Sequence, residues 1–270
     1  MAQTQPSQER PSLGVLHWKE SQTKFSLTRH APAEEAAFFI RHYWIIRWDL
    51  TGAAPHVQGV IPNPCVNLAL ERGQSGIFAP AMAKTTHTIQ GKGCVFGIKF
   101  KPGGFYPFLK QPVSAMRNQP LDVKALLGQE ACSLEEAFLS LDDDAKMVQR
   151  MNELLLPRLP EPDEQVLFIN EVIDQITADR GLTKVEQVCG QFGIHPRRLQ
   201  RLFDLYVGAS PKWVIQLYRL HNAAETIDRG LVRDWAQLTA DLGYYDQSHF
   251  IRDFKSILGV TPEEYARGQA

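Results

Sequence analysis

Hydrophobic positions change their period part-way along the 270-residue chain, and the change divides it. In the first part they alternate. Val66, Leu68 and Leu70 alternate with Asn67 and Ala69, while Cys94, Phe96, Ile98 and Phe100 alternate with smaller or charged residues. A period of two buries one face of an extended chain. Residues 13 to 115 are also rich in aromatic and β-branched residues and broken by Gly and Pro, which predicts a β-rich, barrel-like domain. Residues 32 to 44 are expected to open as a short helix before the strand IIRWDL, and Pro102-Gly103-Gly104 ends the last strand.

From about residue 121 the spacing lengthens to three and four, with Leu121, Ala125 and Leu126 in one segment and Met147, Met151, Leu154 and Leu155 in another. This predicts a helical connector over 116–160. Within it Leu141, Val148, Met151 and Leu155 form a stripe that either pairs protomers or packs back onto the β domain. Three prolines in PRLPEPDE, residues 157–164, mark a linker. Residues 161–270 are helical in pattern with no strand, so the expected fold class is α+β with an all-α C-terminal domain.

That last domain repeats itself at an offset of 50 before a turn and 51 after it. Gln187 pairs with Gln237, Gly193 with Gly243, Leu199 with Phe250, Arg201 with Arg252, Phe203 with Phe254, Gly208 with Gly259 and Pro211 with Pro262. In each copy a small residue, Cys189 or Thr239, stands four before a glycine suited to a positive-φ turn, the arrangement of a helix-turn-helix. The next helix starts at Pro196 or behind the N-cap Asp246 and buries Leu199, Leu202 and Phe203, or Phe250 and Phe254. Its outer face is polar: Arg197, Arg198, Gln200 and Arg201 in one copy, Gln247, Ser248 and Arg252 in the other. Between the copies Ser210-Pro211 opens a helix whose Val214, Leu217, Leu220, Ala224 and Ile227 form one stripe, and Thr261 to Glu264 spell a capping box for a last helix. Periodicity alone also allows a plain helical bundle.

Composition excludes several classes. No stretch approaches the ~18 uncharged apolar residues of a membrane span. Residues 1–12 are a polar tail without the apolar core of a secretory signal, so a soluble, cytoplasmic protein is expected. Cys65, Cys94, Cys132 and Cys189 lie far apart, and His17, His30, His42, His56 and His87 lack a tight ligand spacing, so neither a metal nor a cofactor is expected. An enzyme fused to a DNA reader is the rival class, but no catalytic motif supports it. Net charge is −1 overall and −4 over 161–270, against the usual basic footprint of a nucleic-acid binder. Within 195–219, however, Arg197, Arg198, Arg201, Lys212 and Arg219 face only Asp204. Asp246 and Asp253 flank Arg252 and are expected to hold its guanidinium back.

Residues 165–266 closely resemble the DNA-binding domain of AraC/XylS-type regulators, in which two helix-turn-helix units flank a linker helix. Leu199 to Phe203, Gly208 with Ser210-Pro211, Arg219-Leu220 with Ala223, Gly243-Tyr244, Asp246 to Phe250, Arg252, Phe254-Lys255, Gly259 and Thr261-Pro262 carry the match. Residues 13 to about 115 are similar to the β-rich domain preceding it in one subgroup, chiefly in HYWIIRWDL, IPNPCVNLALERG and FGIKFKPGGF. Three positions depart from the pattern: His195 stands where the family has Ser, and Cys189 and Thr239 where it has Ala. The resemblance implies that Arg197, Gln200 and Arg201, with Gln247, Ser248, Ile251 and Arg252, face the major groove. It implies double-stranded DNA and RNA polymerase as partners, and an N-terminal domain that senses a small-molecule effector or forms a homodimer. Tyr43, Trp44, Trp48, Phe105 and Tyr106 either line a pocket there or fill its core.

Overall fold

The computed structural model describes residues 21–268; the tail expected over 1–12 lies outside them. Among the described residues, seven strands form the first part: β1 Ser26–His30, β2 Ile40–Leu50, β3 His56–Val60, β4 Asn67–Glu71, β5 Gly76–Phe78, β6 Thr85–Ile89 and β7 Gly91–Phe100. Five make an antiparallel sheet in the order β1-β2-β7-β4-β5, and β3 pairs with β6 as a separate ribbon. The short helix expected ahead of β2 is a 3-10 turn, Glu34–Phe38. Among the described residues no strand pair joins the two sheets, so the barrel-like domain does not close by hydrogen bonding.

Alternation gives the five-stranded sheet two different faces. Tyr43 and Ile45 of β2, Leu68 and Leu70 of β4, and Phe96, Ile98 and Phe100 of β7 are all buried on one face. Against it pack α3 Ala131–Leu139 and α4 Asp144–Leu155, which supply Phe138, Met147, Met151 and Leu155 to the same core. Polar contacts fix α4 in place: Asp144 accepts from Thr28 at 2.6 Å and from Arg47 at 3.0 Å, and Tyr43 donates to Asn152 at 2.7 Å. The stripe Leu141, Val148, Met151 and Leu155 therefore packs back onto the β domain. Shorter helices α1 Tyr106–Leu109 and α2 Lys124–Leu127 precede α3.

The other face carries Trp44, Ile46 and Trp48 of β2, which with Val95, Asn67, Ala69 and Glu71 look across a cavity of about 730 Å³ toward Gln58 and His87 of the ribbon. Trp44 and Trp48 sit opposite Gly97 and Gly93 in the register of β2 and β7. A Cβ on either glycine would fall about 2 Å from the indole, so the absence of a side chain lets each ring lie on the strand. Tyr43 and Phe105, by contrast, are core.

The C-terminal part comprises α5 Glu164–Ala178, α6 Val185–Phe192, α7 Pro196–Leu202, α8 Pro211–Asp228, α9 Trp235–Asp241, α10 Gln247–Leu258 and α11 Pro262–Ala266. It has two cores. Val214 and Ile215 at the start of α8 join one with Val188, Leu199 and Phe203, whereas Leu217, Leu220, Ala224 and Ile227 join the other with Leu238, Phe250 and Phe254. One helix thus forms part of both.

Candidate nucleic-acid interface

Both helix-turn-helix units use the same backbone construction. Helix α6 ends at Gly193, φ 60°, and α9 is followed by Gly243, φ 73°. Just past each glycine an amide closes the turn: Ile194 N–H donates to Cys189 O at 3.1 Å and Tyr244 N–H to Thr239 O at 3.0 Å. These are left-handed helix ends of the kind glycine permits. The departures from Ala cost nothing visible, since Cys189 is buried and the buried Thr239 donates its hydroxyl to Trp235 O at 2.7 Å.

The recognition helices are then capped. Asp246 accepts from His249 N–H at 2.8 Å ahead of α10, and His195 Nδ1 accepts from Arg197 N–H at 3.2 Å ahead of α7. Their lengths match once α7 is joined to the π turn that continues it, Phe203–Val207, which Gly208 ends at φ 77° as Gly259 ends α10 at φ 80°. Ser210 caps α8 through Trp213 N–H at 3.1 Å, and Thr261 caps α11 through Glu264 N–H at 3.2 Å, extending the repeat to the next helix.

Arg197, Arg198, Gln200 and Arg201 on α7, and Gln247, Ser248, Ile251 and Arg252 on α10, are all exposed. Among the described residues none of the four arginines is in an ion pair. The expected restraint of Arg252 is not made: Asp246 is occupied as a cap, Asp253 lies 3.5 Å from His249, and Arg252 contacts Ser248 O of its own helix at 3.4 Å. The local basic surplus also needs correction. Arg219 turns inward, its guanidinium 3.8 Å from the centre of the Tyr244 ring and its Nε donating to Leu242 O at 2.8 Å. It joins the linker helix to the second unit by a cation–π contact. Some of the acids behind the net charge of −4 are structural as well: Asp163, Asp234, Asp246 and the Glu264 box cap helices, and Asp228 accepts from Tyr265 at 3.1 Å. Tyr245, 99% exposed in the turn before α10, escaped the sequence reading because solvent exposure of an aromatic leaves no trace in periodicity.

Residues 188–268 match the family described as "Helix-turn-helix domain". The chain carries an AraC/XylS-type DNA-binding domain. It is a DNA-binding transcription regulator. Residues 28–122, ahead of the AraC/XylS-type domain, match a "Domain of unknown function (DUF6597)". A search of the curated proteins finds no match. Among solved structures, ToxT from Vibrio cholerae is similar at 12% identity and TM-score 0.38, over 90% of this chain and 98% of that one. An unsaturated fatty acid-bound ToxT gives 12% and 0.37 over 90% and 95%. ToxT bound to (E)-4-(8-methylnaphthalen-1-yl)but-3-enoic acid gives 12% and 0.36 over 92% and 100%.

The AraC/XylS-type domain is docked on the β domain through residues that also line the cavity. Pro62 O accepts from His221 Nε2 at 3.2 Å, Met82 O accepts from Trp213 Nε1 at 3.1 Å, and Arg117 Nε donates to Gly208 O at 2.7 Å. Burial lowers the pKa of His221 to about 4, which keeps the ring neutral with Nε2 as donor. Lys84 N–H adds a bond to Ile257 O at 2.6 Å, near the end of α10. Within the cavity Glu71 accepts from His87 at 3.1 Å, and this bond raises the imidazole pKa. No helix among the described residues is long and apolar enough to cross a membrane.

Proposed function

We propose that the protein reads two successive major grooves on one side of a DNA duplex, α7 in the first and α10 in the second. The carrying observation is that α8 is built into both cores, which supports a fixed separation of the two recognition helices. Successive grooves lie about 34 Å apart. Arg201, Gln200 and Gln247 are the base readers, because Arg matches guanine and Gln matches adenine through two parallel hydrogen bonds. Arg197, Arg198, Ser248 and Arg252 complete the two faces, with phosphates as the alternative target for any one of them. Five extra base pairs between the subsites of a selected duplex turn one subsite by about half a turn, and gel-shift titration of the full chain should then lose joint binding. Unchanged affinity would mean that the units move independently.

The β domain is proposed as the sensor, with the cavity as the effector site. Its volume suits a small molecule. Pro62, Met82 and Arg117 supply the coupling, since displacing any of these walls alters a hydrogen bond to the DNA-binding domain. Ala69→Trp, which fills the cavity, should abolish any ligand-dependent rise in melting temperature found in a metabolite screen. Regulation of transcription implies RNA polymerase as the ultimate partner. A homodimer would use a surface other than the stripe Leu141, Val148, Met151 and Leu155, which packs against the core of the β domain. Of the enzymatic alternatives, one that uses a cysteine nucleophile in the β domain is disfavoured, because burial raises the thiol pKa values of Cys65 and Cys94, the reverse of an activated thiol.

A further inference from the structure

Five large apolar side chains are exposed among the described residues, and two of them, Tyr245 at 99% and Ile251 at 38%, belong to the second reading element. One exposed hydrophobic residue alone means little. Here the position supplies the meaning. Phe250, Phe254, Ile257 and Leu258 fill the core side of α10, while Ile251 stands with Gln247, Ser248 and Arg252 on the outer side, in the N-terminal half of the helix. Residues in that half of a recognition helix approach base edges.

The first unit has no such group. The repeat pairs Ile251 with Gln200, and Tyr245 is the extra residue of the second turn, standing between Tyr244, which matches Ile194, and the N-cap Asp246, which matches the N-cap His195, so the face of α7 can read only by hydrogen bonding and charge. The apolar feature that a base pair offers in the major groove is the C5 methyl of thymine. A β-branched side chain, stiff about χ1, presents a fixed surface to it. Resting on the DNA-reading role proposed above, we infer that Ile251 is a specificity residue that packs on a thymine methyl in the second subsite, while Tyr245 covers the adjoining sugar and phosphate whatever the base. The two subsites then differ in chemistry, and the difference gives the bound protein one direction along the duplex.

Replacing thymine by deoxyuridine removes the methyl and leaves every hydrogen-bonding edge unchanged, which isolates the contact. The full chain is titrated on a duplex selected from a randomised library, with each thymine of the second subsite replaced in turn. One replacement should weaken binding about three- to fivefold, the worth of one buried methyl group. Ile251→Ala should lose a similar factor on the parent duplex and bind the thymine and deoxyuridine forms equally. Ile251→Val, which keeps the branched Cβ, should retain the gap, and Tyr245→Ala should weaken both forms alike. Equal binding of every deoxyuridine duplex by the wild type, or a gap that survives in Ile251→Ala, would overturn the inference. Failure of selection to yield any preferred duplex is a different result, since it removes the DNA-reading role and this inference together.

Discussion

The two helix-turn-helix units share a backbone and little else. Glycines at Gly193 and Gly243, and again at Gly208 and Gly259, close the same turns in both. Yet the first unit completes its recognition helix with a π turn pressed against the 3-10 turn Val113–Met116 of the N-terminal part, while the second runs as uninterrupted α-helix to Leu258. The first presents Gln200 where the second presents Ile251. Duplication therefore preserved what sets the angle between helices and left free what each helix touches. A π turn packed against another domain is also a familiar mark of a functional site, and it puts the first unit in closer contact with the proposed sensor.

The glycine pair breaks the comparison most strongly. At Gly259 an added Cβ meets only Lys84 Cδ, at 3.5 Å, so Gly259→Ala should cost mainly the left-handed backbone, about 1–2 kcal/mol. At Gly208 the same atom falls 2.7 Å from Val113 Cγ1 and 3.0 Å from the Val113 carbonyl carbon. Overpacking adds about 1–3 kcal/mol to the backbone term, so Gly208→Ala should be the more destabilising variant in urea unfolding. Equal losses would show that the first unit is not held against Val113.

The next effect concerns Arg201 and Arg252. Acidic neighbours in the sequence suggested a weaker contribution from Arg252, but both of those acids are engaged with His249. Each Arg→Ala change should therefore cost about 1–3 kcal/mol on the preferred duplex and relax one base position. Lys at either position keeps the charge without the planar fork and should restore little of a bidentate contact. Titrations over a randomised library at two salt concentrations separate the cases: a phosphate contact would weaken all sequences alike and reduce the salt slope by about one unit.

Patterns with a local period were legible in the sequence: the alternation in β4 and β7, the stripe of α8, and the turn glycines, because each is set by residues a few positions apart. Four features were not. The π turn reads as ordinary helix, since Phe203, Tyr206 and Val207 keep helical spacing. Trp44 and Trp48 share β2 with the buried Tyr43 and Ile45, so the strand looks apolar throughout and its cavity face is invisible until Gly97 and Gly93 are placed beside it. The docking of the two parts runs largely through main-chain oxygens, at Pro62, Met82, Gly208 and Ile257, and a carbonyl is the same in every residue. The inward turn of Arg219 was hidden for a related reason, as a basic residue near others reads as surface charge until Tyr244 is folded against it.

The smallest effect separates the caps. Asp246 offers a carboxylate at 2.8 Å to His249 N–H, and its negative charge also complements the partial positive charge at the start of α10. His195 offers one ring nitrogen at 3.2 Å to Arg197 N–H, and Pro196 behind it lacks an amide that would need a partner. Asp246→Ala should therefore cost about 1 kcal/mol, the usual loss of a good N-cap, and His195→Ala distinctly less. His195→Ser, which installs the family's usual residue, should stabilise the first unit by a few tenths of a kcal/mol to about 1 kcal/mol. Urea unfolding of the three variants beside the wild type measures this, and amide exchange at the first turns of α7 and α10 locates it. If His195→Ser gave no gain while Asp246→Ala lost the full amount, α7 would be held by the π turn and Gly208 packed against Val113 at its far end and not by its cap, which would sharpen the difference between the two units.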